Sequence, residues 1–321
     1  MPGLAGYRGE LLVIANPISG HGAVGRHLSN VEGRLRDLGL KPRVFRTQGP
    51  GDARREASKF EEGVILSFGG DGTFNEVLNG ADLDRCILGV IPAGTGNVLA
   101  KELGIPGNHR RAVETLASSR IAPYDLGVCN GQRFACVCGA GMDAQIVHMV
   151  HEKRERHLTQ LHYVPVLVWC SMEPTPWDVR VEVDGECVAD GANIVCVGNS
   201  RSYGGPIEIA SAASPMDGKL DVMAARVGGP CGMCAPGVAA MLRGMHASQA
   251  VRYARGESVR LTSPHEKTPW EIDGDFGGYL PVNIDVDPQR IRMLVPQSFR
   301  PRAKGFRGQQ SSPTGQTQCI R

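Results

Sequence analysis

The residues of this chain most suited to chemistry are the glycine clusters that follow its apolar runs. Asn16-Pro17-Ile18-Ser19-Gly20 comes directly after the run Leu11 to Ala15, and Gly69-Gly70-Asp71-Gly72-Thr73 follows Val64 to Phe68. Pro92-Ala93-Gly94-Thr95-Gly96-Asn97 follows Leu88 to Ile91, and a weaker fourth segment, Thr47 with Gly51-Asp52-Ala53, follows Arg43 to Arg46. Without Cβ atoms, such loops bring backbone N–H groups close to a polyphosphate, and the helix that opens next adds donors and a positive dipole end. Threonine hydroxyls supply further donors. The loops are not a Walker A motif, since no Gly-Lys-Ser/Thr follows, and the first strand–helix turn lacks G-x-G-x-x-G, so P-loop and dehydrogenase readings lose ground. A single loop of this kind is as well explained as a plain turn at a strand end. The ordered set is not.

The elements that must carry these loops are short strands alternating with helices. Val24, Leu28, Val31, Leu35 and Leu38 recur at helical spacing and end at Gly39, so the first two strands flank a helix in a βαβ unit. Ligands of open α/β sheets bind beyond the carboxyl ends of the strands, which is where the glycine clusters fall. After about Tyr124 the pattern changes to alternating runs joined by hairpin dipeptides such as Asn130-Gly131 and Asp184-Gly185. Strands are expected at Arg180 to Val183, Asn193 to Val197, Ser258 to Thr262 and Val282 to Val286, with helices near His157 to Met172 and Gly237 to Gln249. The expected organisation is α/β plus mostly-β. Residues 9–124 form an α/β nucleotide-binding domain, residues 125–296 a β-sandwich-like domain, and residues 297–321 a disordered basic tail.

Composition narrows the function classes. A chain of 321 residues favours two lobes over one core, and 42 glycines point to many tight turns. Its 35 basic and 33 acidic residues leave a net charge of +2, so no chain-wide field recruits nucleic acid, and none is expected as a partner. The ten cysteines are scattered through apolar segments, among them Cys86, Cys136, Cys138, Cys170 and Cys196, which reads as reduced thiols in a cytoplasmic protein. The lone Cys231-x-x-Cys234 pair carries no zinc or redox reading without further ligands. Neither a signal peptide nor an apolar stretch of about 18 residues is present, so membrane contact is expected to be peripheral at most, at the inner face. His148, His151, His157 and His162 with Lys153, Arg154 and Arg156 read as a solvated charged segment.

Asn16-Pro-x-Ser-Gly20, Gly69-Gly-Asp-Gly-Thr73 and Pro92-x-Gly-Thr-Gly-Asn97 together resemble the successive motifs of the diacylglycerol kinase catalytic-domain family, which includes bacterial diacylglycerol kinases and is related to sphingosine and ceramide kinases. Asp125-Leu126-Gly127, Gly141-Met142-Asp143-Ala144, Tyr203-Gly204-Gly205, Asp217-Gly218-Lys219-Leu220-Asp221 and Asp273-Gly274-Asp275 continue the resemblance in order, so that it spans about Leu11 to Pro296. The resemblance implies an NAD-kinase-like first lobe and transfer of the γ-phosphoryl of ATP to a hydroxyl of diacylglycerol or a related lipid. It implies ATP contacts at Asn16, Thr47, Gly69, Gly70, Asp71, Gly72, Thr73, Phe74, Asn75, Gly94, Thr95 and Asn97. It also implies Mg²⁺ held through Asp71 and Asp125, with a further metal site at the Asp217 carboxylate and the carbonyls of Ser214 and Lys219. Magnesium suits oxygen ligands and neutralises charge on a transferred phosphoryl.

A lipid hydroxyl is a weak nucleophile until a positioned carboxylate accepts its proton. The family usually offers Asp-Gly-Glu for this task. Here Asp275 stands in place of the glutamate, one methylene shorter, with Asp273 beside it in support or sharing the role. The same residues read alternatively as a hairpin turn. The resemblance implies a lipid acceptor at the membrane surface, and a homodimer agrees with the family's habit. Two other readings stay open. An NAD kinase shares Gly-Gly-Asp-Gly but would phosphorylate NAD, and a non-catalytic ATP-sensing module would bind ATP with no lipid-dependent consumption.

Overall fold

The computed structural model describes residues 3–152, 177–203, 207–208, 213–226 and 251–301. The expected helices near His157 and Gly237, the Cys231–Cys234 pair, the Gly204-Gly205 pair and most of the histidine and arginine run lie outside the described residues. In chain order the elements are β1 (Leu11–Ala15), α1 (Ser19–Asp37), β2 (Pro42–Arg46), α2 (Asp52–Ala57), β3 (Gly63–Gly69), α3 (Asp71–Leu78), β4 (Cys86–Pro92), α4 (Val98–Leu103), α5 (His109–Ala117) and β5 (Arg120–Tyr124). There follow β6 (Gly127–Cys129), β7 (Gln132–Phe134), β8 (Val137–Gly141), α6 (Met142–Glu152), β9 (Val179–Val183), β10 (Glu186–Ala192), β11 (Ile194–Gly198), β12 (Ser202–Tyr203), β13 (Ile207–Glu208) and β14 (Leu220–Ala225). The last are β15 (Val251–Gly256), β16 (Ser258–Thr262), β17 (Pro269–Ile272), β18 (Asp275–Tyr279), β19 (Val282–Val286) and β20 (Ile291–Val295).

The first compact unit takes residues up to Leu126 together with Asp287–Pro301. Its sheet runs β2-β1-β3-β4-β20-β5, parallel except for the β20/β5 pair. β3 and β4 are buried along their whole length, as central strands of a covered parallel sheet must be. The apolar face of α1 buries Val24, Leu28, Val31 and Leu35, and Gly39 ends the helix with φ 78°. The sequence boundary at residue 125 had assigned the final strand to the second domain. The structure returns it to the first, because Ile291–Val295 fills the place between β4 and β5. Phe299 is buried as well, so the packed chain extends past the expected start of the tail at residue 297. Beyond Pro301 the tail lies outside the described residues.

The second unit is built from two antiparallel six-stranded sheets, β10-β9-β16-β19-β6-β7 and β15-β14-β11-β8-β17-β18. One apolar core joins them, with Val181, Val259 and Ile284 from the first sheet against Val195, Val222 and Trp270 from the second. Left-handed Asn-Gly and Asp-Gly pairs at Asn130-Gly131 and Asp184-Gly185 turn two of its hairpins. Cys86, Cys129, Cys136, Cys138 and Cys196 are free and buried, in line with small apolar side chains. Cys187 departs from the reduced expectation: it is disulfide-bonded.

Candidate active site

In the first unit the chain order reverses at β1, which lies between β2 and β3, so the loops after β1 and β3 open a crevice at the carboxyl ends of neighbouring strands. Backbone contacts stitch these loops together. Asn16 N–H donates to the Phe68 carbonyl at 3.0 Å, and Ala93 N–H donates to the Gly69 carbonyl at 2.8 Å. Asn16 Nδ2 donates to Thr73 Oγ1 at 3.3 Å. A Cβ on Gly94 would stand 2.6 Å from the Gly70 Cα, so these two loops touch back to back in a way only glycines permit. Gly20, at φ 60°, is pressed against the Ala93 carbonyl in the same manner. The loop after β2 is tied to α3, since Glu76 accepts the N–H groups of Gly51 and Ala53 at 2.9 and 3.1 Å.

Asp71 opens α3 and turns its carboxylate toward the start of α4, where Oδ1 accepts the Leu99 N–H at 3.3 Å. Burial raises its pKa, opposed by backbone hydrogen bonds from Val98, Leu99 and Asn97 and by the Lys101 charge. Asn97, at φ 50°, closes its own loop through Gly94 N–H to Oδ1 and Nδ2 to the Gly94 carbonyl, both 2.7 Å. Gly72 and Thr95 are exposed at the loop tips, Thr47 is half-buried, and Asn16, Gly94 and Asn97 are partly open. Thr73, Phe74 and Asn75 turn inward: Phe74 is a core side chain, and Asn75 accepts from Asn79 Nδ2.

The carboxylates proposed from the resemblance as metal ligands are largely engaged elsewhere. Asp125 is buried with Oδ1 2.5 Å from Arg290 Nε. Asp217 is paired with the Arg255 guanidinium, and its Oδ1 accepts the Lys219 N–H at 3.2 Å. The same Arg255 lies 3.2 Å from Asp221 Oδ1. Ser214 is buried next to this pair in sequence. Arg290 therefore offsets the charge of Asp125, while the single Arg255 is shared between Asp217 and Asp221. Among the described residues no group of three or more His, Cys, Asp and Glu is placed to hold one.

In the second unit Asp273 and Gly274, at φ 47° and 87°, make the tight turn between β17 and β18. Asp273 is the anchor of that turn. Its Oδ2 accepts the Ala135 N–H and its Oδ1 those of Cys136 and Val137, each at 2.9 Å. A carboxylate so engaged is poorly placed to accept a substrate proton, which separates Asp273 from the shared base role expected for it. Asp275 is half-buried at the first position of β18, two residues further on. Beside it Phe276 stacks on His148 with centroids 4.4 Å apart and meets the half-exposed Tyr279 edge-on at 5.4 Å. Sequence reasoning passed over Arg255, Arg290 and Glu271, whose one visible signal was a charge inside or beside an apolar strand.

Glycine loops at the carboxyl ends of a parallel sheet, joined in one chain to an antiparallel sandwich, define a two-domain protein of α/β plus β-sandwich class. Residues 10–129 match the diacylglycerol kinase catalytic domain, and residues 136–295 match the YegS C-terminal NAD kinase beta sandwich-like domain. A diacylglycerol kinase of Bacillus subtilis is 34% identical over 89% of this chain and 96% of its own length, and one of Staphylococcus carnosus is 27% identical over 90% and 95%. The chain therefore belongs to the diacylglycerol kinase catalytic-domain family. The crystal structure of a protein described as a putative diacylglycerol kinase from Bacillus anthracis covers 90% of this chain and 97% of its own with a TM-score of 0.74, at 23% identity, and shares the fold. No helix among the described residues is long and apolar enough to cross a membrane.

Proposed function

We propose that the chain transfers the γ-phosphoryl group of ATP to the free hydroxyl of diacylglycerol or a closely related lipid, giving phosphatidic acid or the corresponding lipid phosphate. The observation that carries this reading is the back-to-back packing of Gly70 and Gly94 beside the Asn16 loop, which aligns three glycine turns at the carboxyl ends of adjacent strands. Backbone N–H groups there suit the phosphates of ATP, with the hydroxyls of Thr47 and Thr95 as further donors. Asp275 takes the proton of the lipid hydroxyl as its oxygen bonds to the γ-phosphorus. The bond from that phosphorus to its bridging oxygen breaks, and ADP leaves. Magnesium bound with ATP would supply neutralisation of the phosphate charge, with Asp71 the crevice carboxylate that would hold it. Asp71 holds the second and third loops in register. Phe276 and Tyr279 give the surroundings of Asp275 an apolar character that suits an acyl-chain substrate, and a substrate held in a bilayer requires peripheral contact with the membrane surface.

The test is magnesium-dependent transfer of labelled γ-phosphate to diacylglycerol, ceramide, sphingosine, monoacylglycerol and NAD, with Asp71→Ala and Asp275→Asn alongside the wild type. Labelled diacylglycerol, lost in both variants, is the expected result. Labelled NAD would replace this reading with an NAD kinase. ATP binding without any labelled product would replace it with a sensor.

A further inference from the structure

Glu271 sits in β17, whose four residues are all buried, and is itself 1% exposed. Its Oε2 accepts the Gly274 N–H at 2.7 Å, while Oε1 has no hydrogen-bond partner. A buried acceptor left unmatched is costly, and a proton on Oε1 would turn it into a donor. Across β8 the carboxylate of Asp143, from the first turn of α6, reaches the same spot. A Cβ on Gly139 would stand 1.9 Å from Asp143 Oδ2 and 2.8 Å from Glu271 Oε1, so both oxygens crowd over this one glycine. Two carboxylates this near in a dry interior do not both ionise; they titrate as a pair.

The surroundings act in the same direction. Burial raises the Asp143 pKa to about 7, opposed by the Cys196 thiol, which donates to Oδ2 at 3.9 Å. Glu271 is pushed well above the usual carboxylate range, first by burial, then by Asp143, with Asp273 and Asp275 adding repulsion and the Gly274 N–H opposing. The flanking thiols, Cys138 on β8 and Cys196 on β11, are themselves held neutral by burial.

We propose that Asp143 and Glu271 share a single proton, Glu271 Oε1–H donating to Asp143 Oδ2, and that this pair positions the Asp273–Gly274–Asp275 turn through the Gly274 N–H. Removing the proton places a second negative charge next to Asp273 and Asp275 and drives the two side chains apart, pulling the turn with them. The positioning half rests on Asp275 being the base proposed above. The proton-sharing half does not.

The sign of the linkage is fixed by the raised values. Unfolded carboxyls ionise near about 4. Stability contributed by the protonated pair is full below that point and is lost as pH rises toward the folded values, through about 7 for Asp143. The experiment follows the melting temperature of the full chain from about pH 5 to about pH 9, for wild type, Glu271→Gln and Asp143→Asn, with the pH profile of lipid-kinase kcat beside it. Glutamine keeps both contacts, since its amide donates to Asp143 and its carbonyl accepts from Gly274, yet it has no proton to lose. The wild type is expected to lose melting temperature progressively from about pH 5 upward through the folded values, and Glu271→Gln to lose less than about half as much. The alkaline limb of kcat should move up by about one pH unit in Glu271→Gln with KM for ATP unchanged. Parallel melting curves in all three proteins overturn the shared proton. A flattened melting curve with an unmoved kcat profile overturns the positioning role alone. A wild type that phosphorylates no lipid defeats the base assignment, and the positioning role with it, while the melting curves still decide the shared proton.

Discussion

Asp71 in the first unit and Asp273 in the second are both aspartates followed by glycine at a strand end, and both spend their carboxylates on backbone N–H groups. The partners differ in kind. Asp71 reaches the opening of α4 across a gap formed by Gly70 and Gly94, so its loops are held chiefly by close approach of main chain to main chain. Asp273 gathers the three consecutive N–H groups of residues 135–137, so its turn is held by one side chain. The first unit is thus vulnerable to added carbon atoms and the second to lost charge. Two residues on, Asp275 stands at the edge of the same turn, so the anchor and the proposed base are separate side chains.

The sharpest way to break the comparison is to neutralise each aspartate of the turn in the second unit separately. Asp275→Asn removes the proposed proton acceptor, and kcat for lipid phosphorylation should fall by about 10²- to 10⁴-fold. Asp273→Ala should cost stability as well as activity, because the turn that carries Asp275 loses its anchor. It strands three buried N–H groups, at a cost of about 3 kcal/mol or more in urea unfolding. An Asp273→Ala protein with wild-type stability would remove Asp273 from its anchoring role and reopen its claim as a base.

A third substitution probes the first unit. Gly94→Ala places a methyl group 2.6 Å from the Gly70 Cα, and since the obstacle is backbone, the loops must part. The expected cost is about 1 to 3 kcal/mol, together with weaker ATP binding in calorimetry. Retained affinity and stability would mean that the loops are not pressed together as described.

How much of this was legible in the sequence depended on whether local pattern or long-range geometry decided it. Val24, Leu28, Val31 and Leu35 repeat at helical spacing and Gly39 stops them, so α1 could be read directly, as could the hairpins at Asn130-Gly131 and Asp184-Gly185. The glycine loops were legible because each follows an apolar strand. Ile291–Val295 was not assignable to its sheet, since a five-residue apolar strand looks the same in either unit and only pairing with β4 and β5 decides. Arg255 and Arg290 gave no local sign of their carboxylate partners, which lie 38 and 165 positions away in sequence. Glu271 was the nearest miss: a glutamate between Trp270 and Ile272 in a buried strand is a conspicuous anomaly, but its partner Asp143 is supplied by a helix from another part of the chain.

The smallest effect is expected from a side-chain bond that links the first two glycine loops. Asn16 Nδ2 donates to Thr73 Oγ1 at 3.3 Å, half-buried, and Asn16 Oδ1 also receives the Ile18 N–H at 3.3 Å. Asn16→Ala deletes both. The backbone bond from Asn16 N–H to the Phe68 carbonyl and the contact of Gly20 with the Ala93 carbonyl survive the change. If main-chain approach holds these loops, the loss should be about 1 kcal/mol in unfolding and no more than about tenfold in ATP affinity, below the cost of the single methyl group in Gly94→Ala. A larger penalty for Asn16→Ala than for Gly94→Ala would reverse the contrast, placing a polar side chain at the centre of the first unit as it is at the centre of the second.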